Sequence, residues 1–280
     1  DLGGQLNLAI SIFKGDYPKN FLHQLISSQL DMDRLDYLRR DSFYTGVTEG
    51  NIGSARIIKM LNVVDDSLVV EHKGIYSLEN YLTTRRLMYW QVYLHRTCVA
   101  YEKVLVNMLN RAKYLIRTGQ EVFASPALFY FLTNDVDANW FAAHPETLTY
   151  YGELDDSDLW SAMKAWKHHD DKILSTLATD MLDRHIFKVE VTEVPVEETH
   201  TETIAKEISA QMEISIDDAK QYMMSLNTIS KDMYNVEDDS IAILYKDGTI
   251  RDISEASELL NVQLLSKKIR KYYLCYQRFE

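Results

Sequence analysis

The chain has few residues of the kinds that break helices or cross-link loops: 2 cysteines, 4 prolines and 10 glycines in 280 residues. Two thiols, Cys98 and Cys275, cannot form a disulfide framework, and their use fits a reducing compartment. The glycines are scattered, and no phosphate-binding loop, dinucleotide fingerprint, G-x-S-x-G elbow or H-E-x-x-H helix is present. No uninterrupted apolar run is long enough to span a bilayer, and no basic-then-apolar leader opens the sequence, so the expectation is a soluble, cytoplasmic protein. Positive charge is also short. The formal net charge is −12 with a pI near 5.2, which opposes general nucleic-acid binding, because a phosphate backbone needs a basic face. Any phosphate site must be a local cluster of arginine and lysine. The first residue is Asp1 rather than methionine, and the expectation drawn from this is a longer protein that begins upstream.

What is present is helical periodicity. Leu6, Ile10 and Phe13, then Phe21, Leu25 and Ile26, then Leu30, Leu35 and Leu38 fall at steps of three and four. The stretch "DDSLVVEHKGIYSLENYL" interrupts the period and predicts a short hairpin, with its turn at Lys73-Gly74 and a new helix from Ser77. From there to about Arg117 neither glycine nor proline occurs, which fits one long helix or two with a bend. "DLWSAMKAWKHHDDKILSTLATDMLD" resumes the helical period. At "HIFKVEVTEVPVEE" the period becomes two. Beyond it, helices are predicted over 201–212 and 216–226, strands over 241–245, 249–253 and 269–276, and a hairpin turn at Lys246-Asp247-Gly248. The fold class is therefore mainly α, a helical body over 1–185 followed by a small α+β lobe over 186–280.

Two helices carry more polar chemistry than solubility requires. In "SSQLDMDRLDYLRRDSFYTG", Asp33, Tyr37 and Asp41 share a face about 80° wide with Arg34 beside it. Such a stripe offers carboxylates for a hard cation or sugar hydroxyls, a phenol that donates, and a guanidinium suited to phosphate. On spacing alone it reads more readily as ordinary ion pairs of Asp33 with Arg34 and Asp36 with Arg39 or Arg40 on a solvated helix. In "YLTTRRLMYWQVYLHRTCVAYEK", Arg85, Tyr89 and Tyr93 recur every four residues, with Arg96 a turn further on. That face fits a phosphate followed by a sugar or base, or a packed aromatic face with outward arginines.

"LDMDRLDYLRRDSFYTG" resembles the closing motif of the HD superfamily phosphohydrolases, specifically the deoxynucleoside triphosphate triphosphohydrolases, and "TTRRLMYWQVYLHRT" resembles the long helix that closes over substrate in that family. The resemblance implies an HD-domain-like helical body and hydrolysis of deoxynucleoside triphosphates to deoxynucleoside and triphosphate. It implies a divalent metal ion (Mg, Mn, Fe, Ni or Zn) with Asp33 as the catalytic ligand contributed here. It gives Arg34 and Arg85 to the phosphates, Tyr37 and Asp41 to the 3′-hydroxyl, and Tyr89 and Tyr93 to the deoxyribose and base. His95 and Arg96 match positions that meet an activating nucleotide in regulated members, and a homo-oligomer is expected. The histidine and His-Asp pair that precede the closing aspartate in the family are missing, since only His23 lies before Asp33. A lone carboxylate holds an ion weakly, so this stretch alone is expected to be inactive. The alternatives are a non-catalytic nucleotide-binding or oligomerisation module, and an HD phosphohydrolase for another phosphoester. The His169-Asp170 pair in "WKHHDDK", with His144 upstream and Asp238 downstream, is a competing metal motif in the wrong order, and its other reading is a solvated helix face. "KKIRKYY" over 267–273 suggests either single-stranded nucleic acid or, preferably, an amphipathic edge strand.

Overall fold

The computed structural model describes residues 3, 5–231, 234, 240–257 and 269–279. The chain forms two compact units, residues 1–95 with 230–270, and residues 96–229 with 271–280. The α+β segment is divided between them, residues 230–270 going to the first unit and the stretches on either side to the second, so residue 185, where the sequence suggests a boundary, falls within the second unit.

The first unit begins with helices α1 (Asn7–Lys14), α2 (Asn20–Gln24), α3 (Met32–Thr45) and α4 (Ser54–Met60). Asp31 starts α3 by accepting the Arg34 N–H at 2.7 Å, and Gly46 ends it at φ 71°; a side-chain cap and a left-handed glycine are the two ordinary helix stops. Strands β1 (Leu61–Val64) and β2 (Ser67–Glu71) then pair antiparallel. Their turn is Asp65-Asp66, with φ of 48° and 58°, not the expected Lys73-Gly74. Two successive left-handed residues match the strand twist, and aspartate tolerates that conformation. Gly74 is a glycine for another reason: a Cβ there would lie 3.0 Å from Met60 and Val70 side-chain atoms. Helix α5 (Ile75–Met88) follows, then a wide π turn over Tyr89–Tyr93 in which the Leu94 N–H reaches back five residues to the Tyr89 carbonyl at 2.7 Å. The glycine-free stretch is thus two helices with a bend.

The second unit opens with α6 (Arg96–Arg117) and continues through α7 (Pro126–Thr133), α8 (Ala138–Ala143), α9 (Thr147–Glu153), α10 (Asp156–Trp166) and α11 (Lys172–Asp183). Strand β3 (Lys188–Thr192), helices α12 (Glu198–Met212) and α13 (Ile216–Tyr222), and strand β4 (Met224–Lys231) complete its longer piece. The helix expected to reach residue 226 stops at Tyr222, because the Asn107 amide donates to the Tyr222 carbonyl at 2.8 Å and to that of Met224 at 3.4 Å. The chain then returns to the first unit for β5 (Ala242–Leu244), β6 (Ile250–Asp252) and α14 (Ile253–Ala256). The β5–β6 turn is where the sequence puts it, with Gly248 at φ 85°. The last strand, β7 (Ile269–Tyr276), is the middle of the β3-β7-β4 sheet rather than an edge. Lys267 and Lys268 lie outside the described residues. The mainly helical class with a small α+β portion is what the structure shows.

Each unit has its own core. Leu35, Leu38, Ile57, Leu78, Leu82 and Met88 form the first with β2 and β5 residues Val70 and Ile243. Val104, Met108, Trp166, Leu174, Leu177 and Leu274 anchor the second. Arg111 is the second unit's polar tie. Its guanidinium is 2.7 Å from Asp171 and 2.9 Å from Asp218, and lies 5.0 and 4.9 Å from the Tyr114 and Tyr222 ring centroids. Removing it would strand two carboxylates in a partly buried place.

Asp180 on α11 is buried, and burial pushes its carboxyl up to about 6. Its Oδ2 and the buried Gln277 Oε1 have no hydrogen-bond partner among the described residues. Because the folded value lies above the ordinary one of 3.8, the folded state binds more protons between those values. The stability it contributes is fully present below about pH 4 and is lost as pH rises through 6. Asp180→Asn should therefore stabilise the protein at pH 7.5 relative to the parent, on the order of 3 kcal/mol, with the advantage gone near pH 4. Urea unfolding of both proteins across that range measures it; a pH-independent difference would contradict the assignment.

Candidate functional site

The site builds on α3, α5 and the π turn of the first unit. Asp31, only 5% exposed, both caps α3 and accepts the Arg34 Nε–H at 2.9 Å, which fixes that guanidinium at the helix start. Arg34 lines a cavity of about 410 Å³ together with Asn20, His23, Ser27, Ser28 and Gln29, a volume suited to a small ligand. On α5, Arg85 is 8% exposed, and its Nη1–H donates to the Gln29 side-chain carbonyl at 2.6 Å. The neighbouring Tyr81 hydroxyl donates to the Gln29 backbone carbonyl at 2.6 Å. Arg85 Nε has no hydrogen-bond partner among the described residues. A buried guanidinium N–H in that condition is costly unless an anion meets it.

The tyrosines form the adjoining wall. Tyr37 lies 6.0 Å from Tyr93 edge-to-face, Tyr93 lies 5.3 Å from Tyr89, and the Arg85 guanidinium carbon is 6.0 Å from the Tyr89 centroid. Tyr89 and Tyr93 open and close the π turn with their rings edge-to-face, and such wide turns are frequent at functional sites. The Tyr93 hydroxyl donates to Asp41 Oδ2 at 2.6 Å. Burial, with Tyr89 as a neighbour, pushes the Tyr37 phenol up to about 12 against the opposing pull of Arg34 and Arg85. Burial and the Asp41 hydrogen bond push Tyr93 up as well. The Tyr37 and Tyr93 phenols therefore remain protonated donors at neutral pH.

Of the residues singled out in the sequence, Arg34, Tyr37, Asp41, Arg85, Tyr89 and Tyr93 are brought together. Asp33 stands apart. It is exposed in the first turn of α3, without a hydrogen bond or ion pair among the described residues. Of the ion pairs read from the sequence, Asp36 pairs with Arg40 as expected, while Arg34 pairs with Asp31 rather than Asp33. His95 is exposed after the π turn. Arg96 opens α6 and lines a cavity of about 580 Å³ in the second unit with Lys188, Arg278, Phe187 and Phe279. Sequence reasoning missed Gln29 and Tyr81, which hold Arg85, and Asp31, which holds Arg34. The aspartate was legible, since Asp-x-x-Arg is a capping spacing; nothing local marks the other two.

HD phosphohydrolases as a family use divalent metal ions. The described residues do not make a site for one: no cluster of three histidine, cysteine or acidic side chains is present among them, and Asp33 offers a single exposed carboxylate. The competing His169-Asp170 pair is neither a metal motif nor a helix face. It lies in the loop between α10 and α11, where His169 Nε2 is 3.0 Å from the Glu121 carbonyl and Nδ1 accepts the Asp171 N–H at 2.9 Å. Both ring nitrogens are thereby spent. Asp238 lies outside the described residues. No helix among the described residues is long and apolar enough to cross a membrane.

Residues 52–126 match the family model described as the HD associated region. The Bacillus subtilis protein YwfO is 30% identical over 268 residues, 93% of this chain, and the chain spans 58% of its length. A Dictyostelium discoideum deoxynucleoside triphosphate triphosphohydrolase SAMHD1 homolog is 25% identical over 118 residues, 40% of this chain and 23% of that protein. The crystal structure of a phosphohydrolase from Bacteroides thetaiotaomicron superposes with a TM-score of 0.94 at 61% identity, over 99% of this chain and 68% of that one. On that identity and coverage, and with the HD associated region inside it, the chain belongs to the HD-superfamily phosphohydrolases.

Proposed function

We propose that the protein hydrolyses deoxynucleoside triphosphates to deoxynucleoside and triphosphate, with α3, α5 and the π turn binding the substrate. The observation that carries this reading is Arg85, a buried guanidinium held on one side by Gln29, whose Nε has no hydrogen-bond partner among the described residues. It sits beside a tyrosine wall that ends in a carboxylate. Arg85 and Arg34 donate to phosphate oxygens and offset the charge that develops as triphosphate leaves. Asp41 accepts from Tyr93 and retains lone pairs for the 3′-hydroxyl. Tyr37 donates to the sugar, and the Tyr89 and Tyr93 faces border the sugar and base. Asp33 is the residue assigned to the divalent ion. The Dictyostelium relative, a deoxynucleoside triphosphate triphosphohydrolase homolog, supports the substrate class. Arg96, with His95 before it in the chain, is assigned to an activating nucleotide; the Lys188 and Arg278 side chains beside Arg96 favour an anionic ligand there. A homo-oligomer fits this regulatory reading.

Triphosphate release from the four dNTPs with Mg²⁺ or Mn²⁺ tests the proposal, using the protein at the full length of its relatives. Release should vanish in Asp33→Ala. In Arg85→Ala, kcat/KM should fall by about 10²-fold, the scale of one lost charged contact to a phosphate. Release that survives Asp33→Ala removes that residue from the mechanism. Absent release with dNTP still bound would favour the binding-module alternative.

A further inference from the structure

The second unit carries an apolar face that its own core does not use. Helices α7, α8 and α9 are each too short to be stable alone, and polar bonds tie them into one arrangement. The Tyr130 hydroxyl meets the Thr147 hydroxyl at 2.8 Å and accepts the Trp140 Nε1–H at 2.9 Å, and the Tyr130 ring stacks on Tyr150 at 4.4 Å. On this support stands a group of exposed apolar side chains. Tyr151 lies edge-to-face with Phe141 at 6.0 Å and with the half-buried Phe131 at 6.5 Å. Leu148 is three residues before Tyr151 on α9 and so shares its face. Leu148 is 68% exposed and Tyr151 62%. Scattered exposed apolar side chains are ordinary, whereas adjoining ones on a fixed support mark a contact surface.

Charge identifies what covers it. Between Arg117 and Lys164 the sequence has no lysine or arginine and eight acids, so the face sits in a field of one sign. Five of these acids are accounted for or lie elsewhere. Asp135 pairs with Lys113 and Arg117, Asp137 caps α8, Asp155 and Asp158 form the capping box of α10, and Glu121 precedes α7. Glu146 just before α9, Glu153 at its end and Asp156 at the start of α10 are exposed, with neither an ion pair nor a side-chain hydrogen bond among the described residues. Helix α9 is about 10 Å long, so both of its terminal carboxylates act on whatever lies across Leu148 and Tyr151. A second copy of the same face would set these carboxylates against their own kind, and a nucleic acid or an anionic lipid surface would be repelled. We propose that α7–α9 docks a cationic segment of another protein, with large apolar side chains packed on Phe141, Leu148 and Tyr151 and with lysines or arginines meeting Glu146 and Glu153.

The test is selection of random peptides, displayed on phage, against the protein at the full length of its relatives. The recovered peptides should be rich in arginine or lysine together with tryptophan, phenylalanine or leucine. Their affinity, read by fluorescence anisotropy, should fall at least about tenfold in Leu148→Ala/Tyr151→Ala. In Glu146→Gln/Glu153→Gln it should also fall, and its dependence on salt should flatten. All four positions are exposed, so both variants should keep the far-UV spectrum of the parent. An empty selection, peptides without basic enrichment, or peptides that bind both variants as tightly as the parent would overturn the proposal. So would self-association, seen by sedimentation, that is lost in Leu148→Ala/Tyr151→Ala, since the occupant would then be a second copy.

Discussion

The Arg85 guanidinium is only 8% exposed, so water does little to solvate it. Much of the first unit is arranged around that fact. Gln29 is held in reach by the Tyr81 hydroxyl, so one guanidinium N–H is satisfied before any ligand arrives. Tyr89 gives the guanidinium an aromatic neighbour, and Tyr37 and Tyr93 close the same side while keeping their own protons. The Nε–H is left over. A fold that retains such a group in its interior accepts a standing cost, one that an anionic partner would offset.

The geometry that makes this possible is backbone geometry. Four-residue spacing and the π turn leave the Tyr89 and Tyr93 rings 5.3 Å apart, and the Tyr93 hydroxyl reaches Asp41 of α3. Asp31 does the complementary work at the other end of α3, spending one carboxylate on both the helix start and the Arg34 side chain. Two helices are thereby locked in register by polar contacts on one side and by Leu35, Leu38, Leu78 and Leu82 on the other.

Much of this was legible in the sequence because it rests on local rules. Four-residue spacing put Arg85, Tyr89 and Tyr93 on one face, and the Asp33 to Asp41 stripe followed from the same period. The β5–β6 turn needed only Gly248. What was not legible depends on partners distant in the chain. Gln29 meets Arg85 across 56 residues, and Asn107 ends the helix at Tyr222 across 115; neither leaves a local pattern. The β1–β2 turn was misplaced because Gly74 has the composition of a turn and the role of a packing spacer, while Asp65-Asp66 has the reverse. The division into two units at residues 95 and 230 was hidden for a related reason. The chain crosses between units several times, and each piece of secondary structure looks the same from within whichever unit it joins.

The central claim is that the Tyr93–Asp41 pair and Arg85 hold the two ends of one deoxynucleotide. Equilibrium binding of a dNTP and its 2′,3′-dideoxy counterpart, each to the parent protein and to Asp41→Ala, measures this most directly. The account predicts about tenfold weaker binding of the dideoxy compound, on the scale of one hydrogen bond to a charged group, and no such difference in Asp41→Ala. Equal affinity for the two nucleotides in the parent protein would contradict it.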